Sequence, residues 1–333
     1  MIKEAIRRFY DEYYSSVDFR RWQNEFACNI YAHLKPYSKE VPKVEAMCNV
    51  MANRQYHGLQ IESRMIHSYA KSGVAFDFMG ETVRKELADM AVISLVTYCR
   101  EIIFLKTAFV QNKNSTDTPD KWTIDPKQLY LLKNFPTFTG TRGIIKDKTF
   151  TFLNHSGTLG NFGLFSSKCE TIFLTARDTF CNQNGSGVIN FGDIKHGATA
   201  YNPQFTAQSL CRRWEKHCCF DCMEYNNRNS TKCGSITLGS SLPFFGNYRY
   251  ALDVYELVRA LTYFNIGELS MAHRRIIDDD LFTYTQKLIN SAFGYYLGDG
   301  KFYRENAEQS DDDEDKGLGV KAVFFNHLEL GEK

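Results

Sequence analysis

Two short apolar runs carry polar residues that suit phosphodiester chemistry. Met90–Val96 follows directly on Asp89, and Ile102–Val110 ends in Gln111-Asn112-Lys113. Hydrolysing a phosphodiester takes a hard cation held by oxygen ligands, an activated water and a positive group near the developing charge. Asp89 offers a carboxylate and Gln111 an amide oxygen to Mg²⁺ or Mn²⁺, while Lys113 offers an ammonium to the water or the phosphoryl oxygens. On a strand, residues 111 and 113 share one face and Asn112 points away, which explains the single residue between them. Because Gln111 is neutral, a further carboxylate is needed, and Glu86 and Glu25 are the candidates. Glu86 lies an odd number of residues from Asp89, so a regular strand turns the two to opposite faces. Both reach one metal only from a bulged or non-extended strand start. The same pattern also describes a buried strand pair whose charged ends simply reach water.

The elements that would position these groups are legible on either side. Trp22, Phe26, Ile30 and Leu34 recur every fourth residue, so residues 1–35 read as helical up to Pro36, with Glu25 beside the stripe. A second helix is expected over Val41–Ser68, with His67 near its end and Gly73 closing it. Val74–Phe78 reads as a first strand with a turn at Gly80, followed by the two apolar strands. Asp125-Pro126 then marks a helix start, an N-cap followed by proline at the first helical position. From Phe138 to about Gly246 short apolar pieces alternate with Gly, Asn and Ser, a β- and loop-rich pattern. Tyr250–Phe264 and Leu281–Tyr296 read as helices, Asp278-Asp279-Asp280 as the cap of the second. Ala307–Asp315 reads as an acidic linker, and Gly319–Leu330 as a strand returning to a sheet edge. This gives three regions: 1–140, the α/β core; 141–248, a β- and loop-rich elaboration; and 249–333, a helical part with linker 307–315 and a terminal strand.

Glu86-Leu87-Ala88-Asp89 and Gln111-Asn112-Lys113, with Ile66-His67-Ser68 upstream and Gln128-Leu129-Tyr130 and Phe135-Pro136-Thr137-Phe138 downstream, resemble the PD-(D/E)XK nuclease superfamily. More narrowly they are similar to a poorly characterised bacterial branch with a Glu-Leu-Ala-Asp strand followed by a Gln-x-Lys strand. The resemblance spans roughly residues 20–140. It implies a restriction-endonuclease-like mixed sheet flanked by helices, with a β-rich insertion and a helical C-terminal part. It also implies a Mg²⁺-dependent DNA endonuclease of restriction or antiviral defence type, in such enzymes often a homodimer. The want of a span-length apolar run and of a signal-peptide pattern makes the cytoplasm the expected compartment. Gln111 departs from the usual acidic residue, and inactive relatives exist. The alternative is therefore a non-catalytic nucleic-acid or protein-binding module on the same scaffold. A viral structural protein is a third reading.

Ten cysteines form the second chemical signal. Cys219-Phe-Asp-Cys222 has the C-x₂-C spacing of a zinc knuckle, and Cys211, His217, Cys218 and Cys233 offer the remaining ligands for Zn²⁺. Reduced, unliganded thiols are the competing state. Arg212, Arg213 and Lys216 beside Trp214 suit phosphate contacts, as does His67, although a helix-end histidine also serves as a packing or capping residue. Composition narrows the classes further. With 43% hydrophobic residues and a net charge of +1, the chain can build a large core and carries no overall basicity. No apolar run reaches the roughly 18–20 residues of a membrane span, and the first residues lack the pattern of a signal peptide.

Overall fold

A computed structural model of the chain describes residues 2–66, 73–115, 120–168, 170–179, 188–190, 248, 250–251, 253–272, 274–304 and 319–331. His67 and the cysteine-rich stretch with Cys211, Arg212, Arg213, Lys216, Cys218, Cys219, Cys222 and Cys233 lie outside the described residues, as does linker 307–315.

The N-terminal helices are α1 (Ile2–Phe9), α2 (Val17–Leu34) and α3 (Glu40–Met51). Ser16 caps α2 by accepting from the Phe19 amide at 3.1 Å, and Phe26, Ile30 and Leu34 of the expected stripe are buried. After Met51 the chain does not stay helical. It forms β1 (Arg54–Tyr56) and β2 (Leu59–Met65), a correction to the helix expected through Ser68. Asn53 and His57 take left-handed backbone angles, φ 57° and 48°, which end α3 and turn the hairpin. Leu59 and Ile61 then alternate inward, a period of two rather than 3.6.

The hairpin β3 (Val74–Phe78) and β4 (Glu81–Lys85) turns on Met79-Gly80, both at positive φ, the geometry of a type I′ turn. Next come β5 (Met90–Tyr98), β6 (Glu101–Asn114), β7 (Lys121–Thr123) and α4 (Pro126–Asn134), the last capped by Asp125 as its sequence predicts. They are followed by β8 (Phe138–Gly140), β9 (Thr149–Phe150), β10 (Gly160–Phe165), β11 (Thr171–Thr175), β12 (Val188–Asn190) and β13 (Tyr250–Ala251). The remaining elements are α5 (Val254–Thr262), β14 (Glu268–Ala272), β15 (Arg275–Ile276), α6 (Asp279–Phe293), β16 (Tyr296–Gly298), β17 (Lys301–Tyr303) and β18 (Ala322–Glu329).

A mixed sheet runs in the order β1-β2-β18-β5-β6-β10-β11-β13. The pair β5–β6 is antiparallel, whereas β18 lies parallel to β5 and β10 parallel to β6. β6 is long enough to hold three partners along one edge, β17 at its start, β14 on its first half and β10 on its second. Two expectations change here. Val74–Phe78 does not join this sheet but pairs in a separate one, β4-β3-β8-β9. The terminal strand is not at an edge; β18 lies inside the sheet between β2 and β5.

Both sheet faces are covered, which is why β5 and β6 read as nearly continuous apolar runs, interrupted by Ser94, Lys106 and Thr107. Met90, Val92, Ala108 and Val110 face the layer of α1–α3 and α5. Ala91, Ile93, Leu105 and Phe109 face α4, α6 and the small sheet.

Candidate functional site

The β5–β6 hairpin brings the predicted pair together. Its register sets Met90 opposite Val110, so Asp89 and Gln111 fall opposite one another at the next position. The Asp89 amide donates to the Val110 carbonyl at 3.1 Å. Gln111 Nε2 and the Asn112 amide both donate to Asp89 Oδ2, the latter at 2.7 Å. Asp89 is only 2% exposed, so its charge is dissolved by these donors rather than by water. Lys113 is half-buried two residues beyond Gln111. The Asn112 side chain turns the other way, into a small cavity under α3 and α5 beside Met47, Gly163 and Leu257.

A second strand end meets the same carboxylate. β18 runs parallel to β5 with Ala322 level with Met90, so Lys321 precedes its strand where Asp89 precedes its own. Lys321 Nζ donates to Asp89 Oδ1 at 2.8 Å and lies 3.0 Å from Glu86 Oε2, while its amide donates to the Asp89 carbonyl at 2.9 Å. Residues 86–89 are not extended. The Leu87 and Ala88 amides instead bond the Gly319 carbonyl at 2.9 and 3.2 Å. This non-extended start lets Glu86 and Asp89 approach one cation despite their odd spacing. Burial works against the Lys321 ammonium, but Asp89 and Glu86 outweigh it and hold it above its ordinary value.

A third carboxylate was not foreseen. Glu40, the first residue of α3, has its proton affinity raised by burial and further by Asp89 and Glu86, while Lys113 and Lys321 pull it back. Those influences place Glu40 in the electrostatic neighbourhood of Lys113, Asp89, Lys321 and Glu86. In sequence, a glutamate in a first helical turn reads only as a partner of the helix dipole. Lys321 did carry a signal: like Asp89, it is a charged residue directly before an apolar strand. Glu25 is solvent-exposed on α2, a helix that packs on α3 and α5.

The contacts join Lys321 to the carboxylates of Asp89 and Glu86, and Glu40 and Lys113 stand in their electrostatic neighbourhood. Carboxylate oxygens with one amide oxygen are the donors a hard divalent ion takes. The set fits such an ion in kind. In the present arrangement the Lys321 ammonium bridges Asp89 and Glu86, and among the described residues no three acidic, His or Cys side chains close on one point. Loading a metal therefore means exchanging Lys321 for it. Gln111 also shows its amide nitrogen to Asp89, so a half-turn of that amide would be needed to offer the oxygen.

Comparison with family models, curated proteins and solved structures finds no match to this chain. Among the described residues no helix is long and apolar enough to cross a membrane.

Proposed function

We propose that this chain is a metal-dependent DNA endonuclease of the restriction or antiviral defence kind, on a restriction-endonuclease-like scaffold. The observation that carries this reading is the meeting of Asp89 and Gln111 across β5–β6, with Lys113 next on the same face of β6. The connection through α4, β8 and β9 ends in β10, parallel to β6, and a helix-bearing crossover to a parallel strand suits that scaffold. When bound, Mg²⁺ or Mn²⁺ supplies Lewis acidity and a nucleophilic water. Asp89, with Glu86 or Glu40, would hold the ion. Gln111 orients Asp89, and Lys113 stabilises negative charge on the phosphoryl oxygens. Cutting both strands of a duplex calls for two such centres, which a homodimer supplies.

A second reading has its own support. Lys321 already bridges Asp89 and Glu86, as it would in a binding module that needs no metal. Incubating the purified chain with supercoiled plasmid and Mg²⁺ or Mn²⁺ separates the two. The endonuclease reading expects nicked or linear product that falls by roughly a hundredfold or more in Asp89→Asn and in Lys113→Ala. Metal-independent DNA binding without cleavage would support the module instead. Cleavage equal in wild type and both variants would dismiss the assigned residues.

A further inference from the structure

At the opposite end of β5 from Asp89, roughly 26 Å away at strand rise, lies a cavity of about 430 Å³. That is within the range of pockets that take small molecules, about 300–1,000 Å³. It is bounded by the Cys99-Arg100 turn, the His57-Gly58 turn, β17 and the end of β18. Nothing in the Asp89 cluster uses it.

Its floor is a fixed polar chain. Arg304 Nη2 lies 3.1 Å from His327 Nδ1. A guanidinium can only donate, so Nδ1 carries the lone pair and Nε2 the proton. Nε2 then donates to Thr97 Oγ1 at 2.8 Å, and Thr97 donates to Glu329 Oε2 at 2.7 Å. Glu329 also accepts from the Arg100 and Gly331 amides, at 3.3 and 2.9 Å, so its charge is met within the protein. Arg304 is further set by stacking over the Tyr295 and Phe302 rings, 5.3 and 5.7 Å from their centroids, and by Glu62 at 3.7 Å. Arg100 differs. It is exposed, and its guanidinium has no hydrogen-bond or ion-pair partner among the described residues.

An oriented arginine and an unpaired one facing the same cavity suit a phosphate, whose oxygens accept paired guanidinium donors. Phe302 and Tyr303 add ring surface, and Gln55 and Gln60 add amides that both donate and accept. We propose that this cavity binds a nucleoside monophosphate, the phosphate on Arg100 and Arg304 and the base against Tyr303 and the two glutamines. The proposal does not depend on the endonuclease reading.

Calorimetric titration of the whole chain with AMP, adenosine and inorganic phosphate tests it. One-to-one AMP binding is expected, weakened roughly tenfold or more in Arg100→Gln and unchanged in Lys113→Ala. Arg100 is on an exposed turn, and an unchanged melting temperature would show that its variant folds. Arg304→Lys provides a second reading, since a lysine keeps the charge but not the paired donors. Three results would each overturn the proposal: no AMP binding up to about 10 mM, adenosine binding as tightly as AMP, or loss of AMP binding in Lys113→Ala but not in Arg100→Gln. Phosphate binding as tightly as AMP would overturn the base contacts.

Discussion

Lys321 and Asp89 are bonded twice, side chain to side chain at 2.8 Å and amide to carbonyl at 2.9 Å, although 232 residues separate them. The parallel register of β18 on β5 fixes both bonds, so one strand pairing sets the site's charge balance.

Removing that ammonium leaves Asp89 buried without its counter-charge. Lys321 is about one-third exposed, so the loss in Lys321→Met is expected below the full penalty of a buried pair, about 2 kcal/mol. Its proton affinity is raised in the folded chain, so its contribution is intact at neutral pH and lost only in strongly alkaline solution. Thermal melts with and without Mg²⁺ check the exchange. The variant should melt lower in the absence of metal and gain more from millimolar Mg²⁺ than wild type does. An equal gain in both proteins would count against exchange at this site.

Lys106 gives an alkaline signature. It is 1% exposed in the middle of β6 and donates to the Phe264 carbonyl at 3.1 Å. Burial pushes it down from 10.5 to about 7, with Glu268 pulling the other way. Between these values the unfolded chain binds the extra proton, so stability rises with pH there, by about 1.4 kcal/mol per unit from this group. Urea denaturation of wild type and Lys106→Met at pH 7, 8 and 9 isolates the slope. The methionine variant should lack it and be the more stable protein at pH 7; parallel curves would contradict the assignment.

His327 gives the acid counterpart. Burial first, and Arg304 second, push it from 6.5 down to about 3. Below pH 6.5 the unfolded chain gains a proton that the folded chain refuses until near pH 3. Stability therefore falls across that window by about 1.4 kcal/mol per unit. His327→Gln keeps a donor for Thr97 without a titrating ring, and its acid-unfolding midpoint is expected lower than that of wild type. A midpoint unchanged or raised would place the acid sensitivity elsewhere.

The site was legible where charge and strand pattern coincide in one short stretch. Asp89, Gln111 and Lys113 sit on a hairpin whose two strands are separated by a two-residue turn, so sequence distance and spatial distance agree. Asp125-Pro126 likewise announced α4 because a cap is a local event. Glu40 and Lys321 were missed because each reaches the site through pairing or packing between distant segments, which no local period encodes. The helix expected through Ser68 failed for a related reason. Ile61 and Met65, four residues apart, fit a helical stripe, whereas Leu59 and Ile61 keep the two-residue period of the strand that follows the backbone reversals at Asn53 and His57. The terminal segment is a strand, as its sequence predicts, but an interior one rather than an edge. Its unbroken apolar run, Val323-Phe324-Phe325, with both faces buried, is the pattern of an interior strand.

The interior position of β18 also bears on how the chain acquires its shape. β2 and β5 cannot pair with each other across the gap that β18 fills, so until residues 322–329 arrive both present open hydrogen-bonding edges. Such edges invite pairing with other chains. A nascent chain halted before residue 319 would hold two half-sheets, neither of them able to form the Asp89–Lys321 contact. Closing the sheet and closing the site thus depend on the same strand.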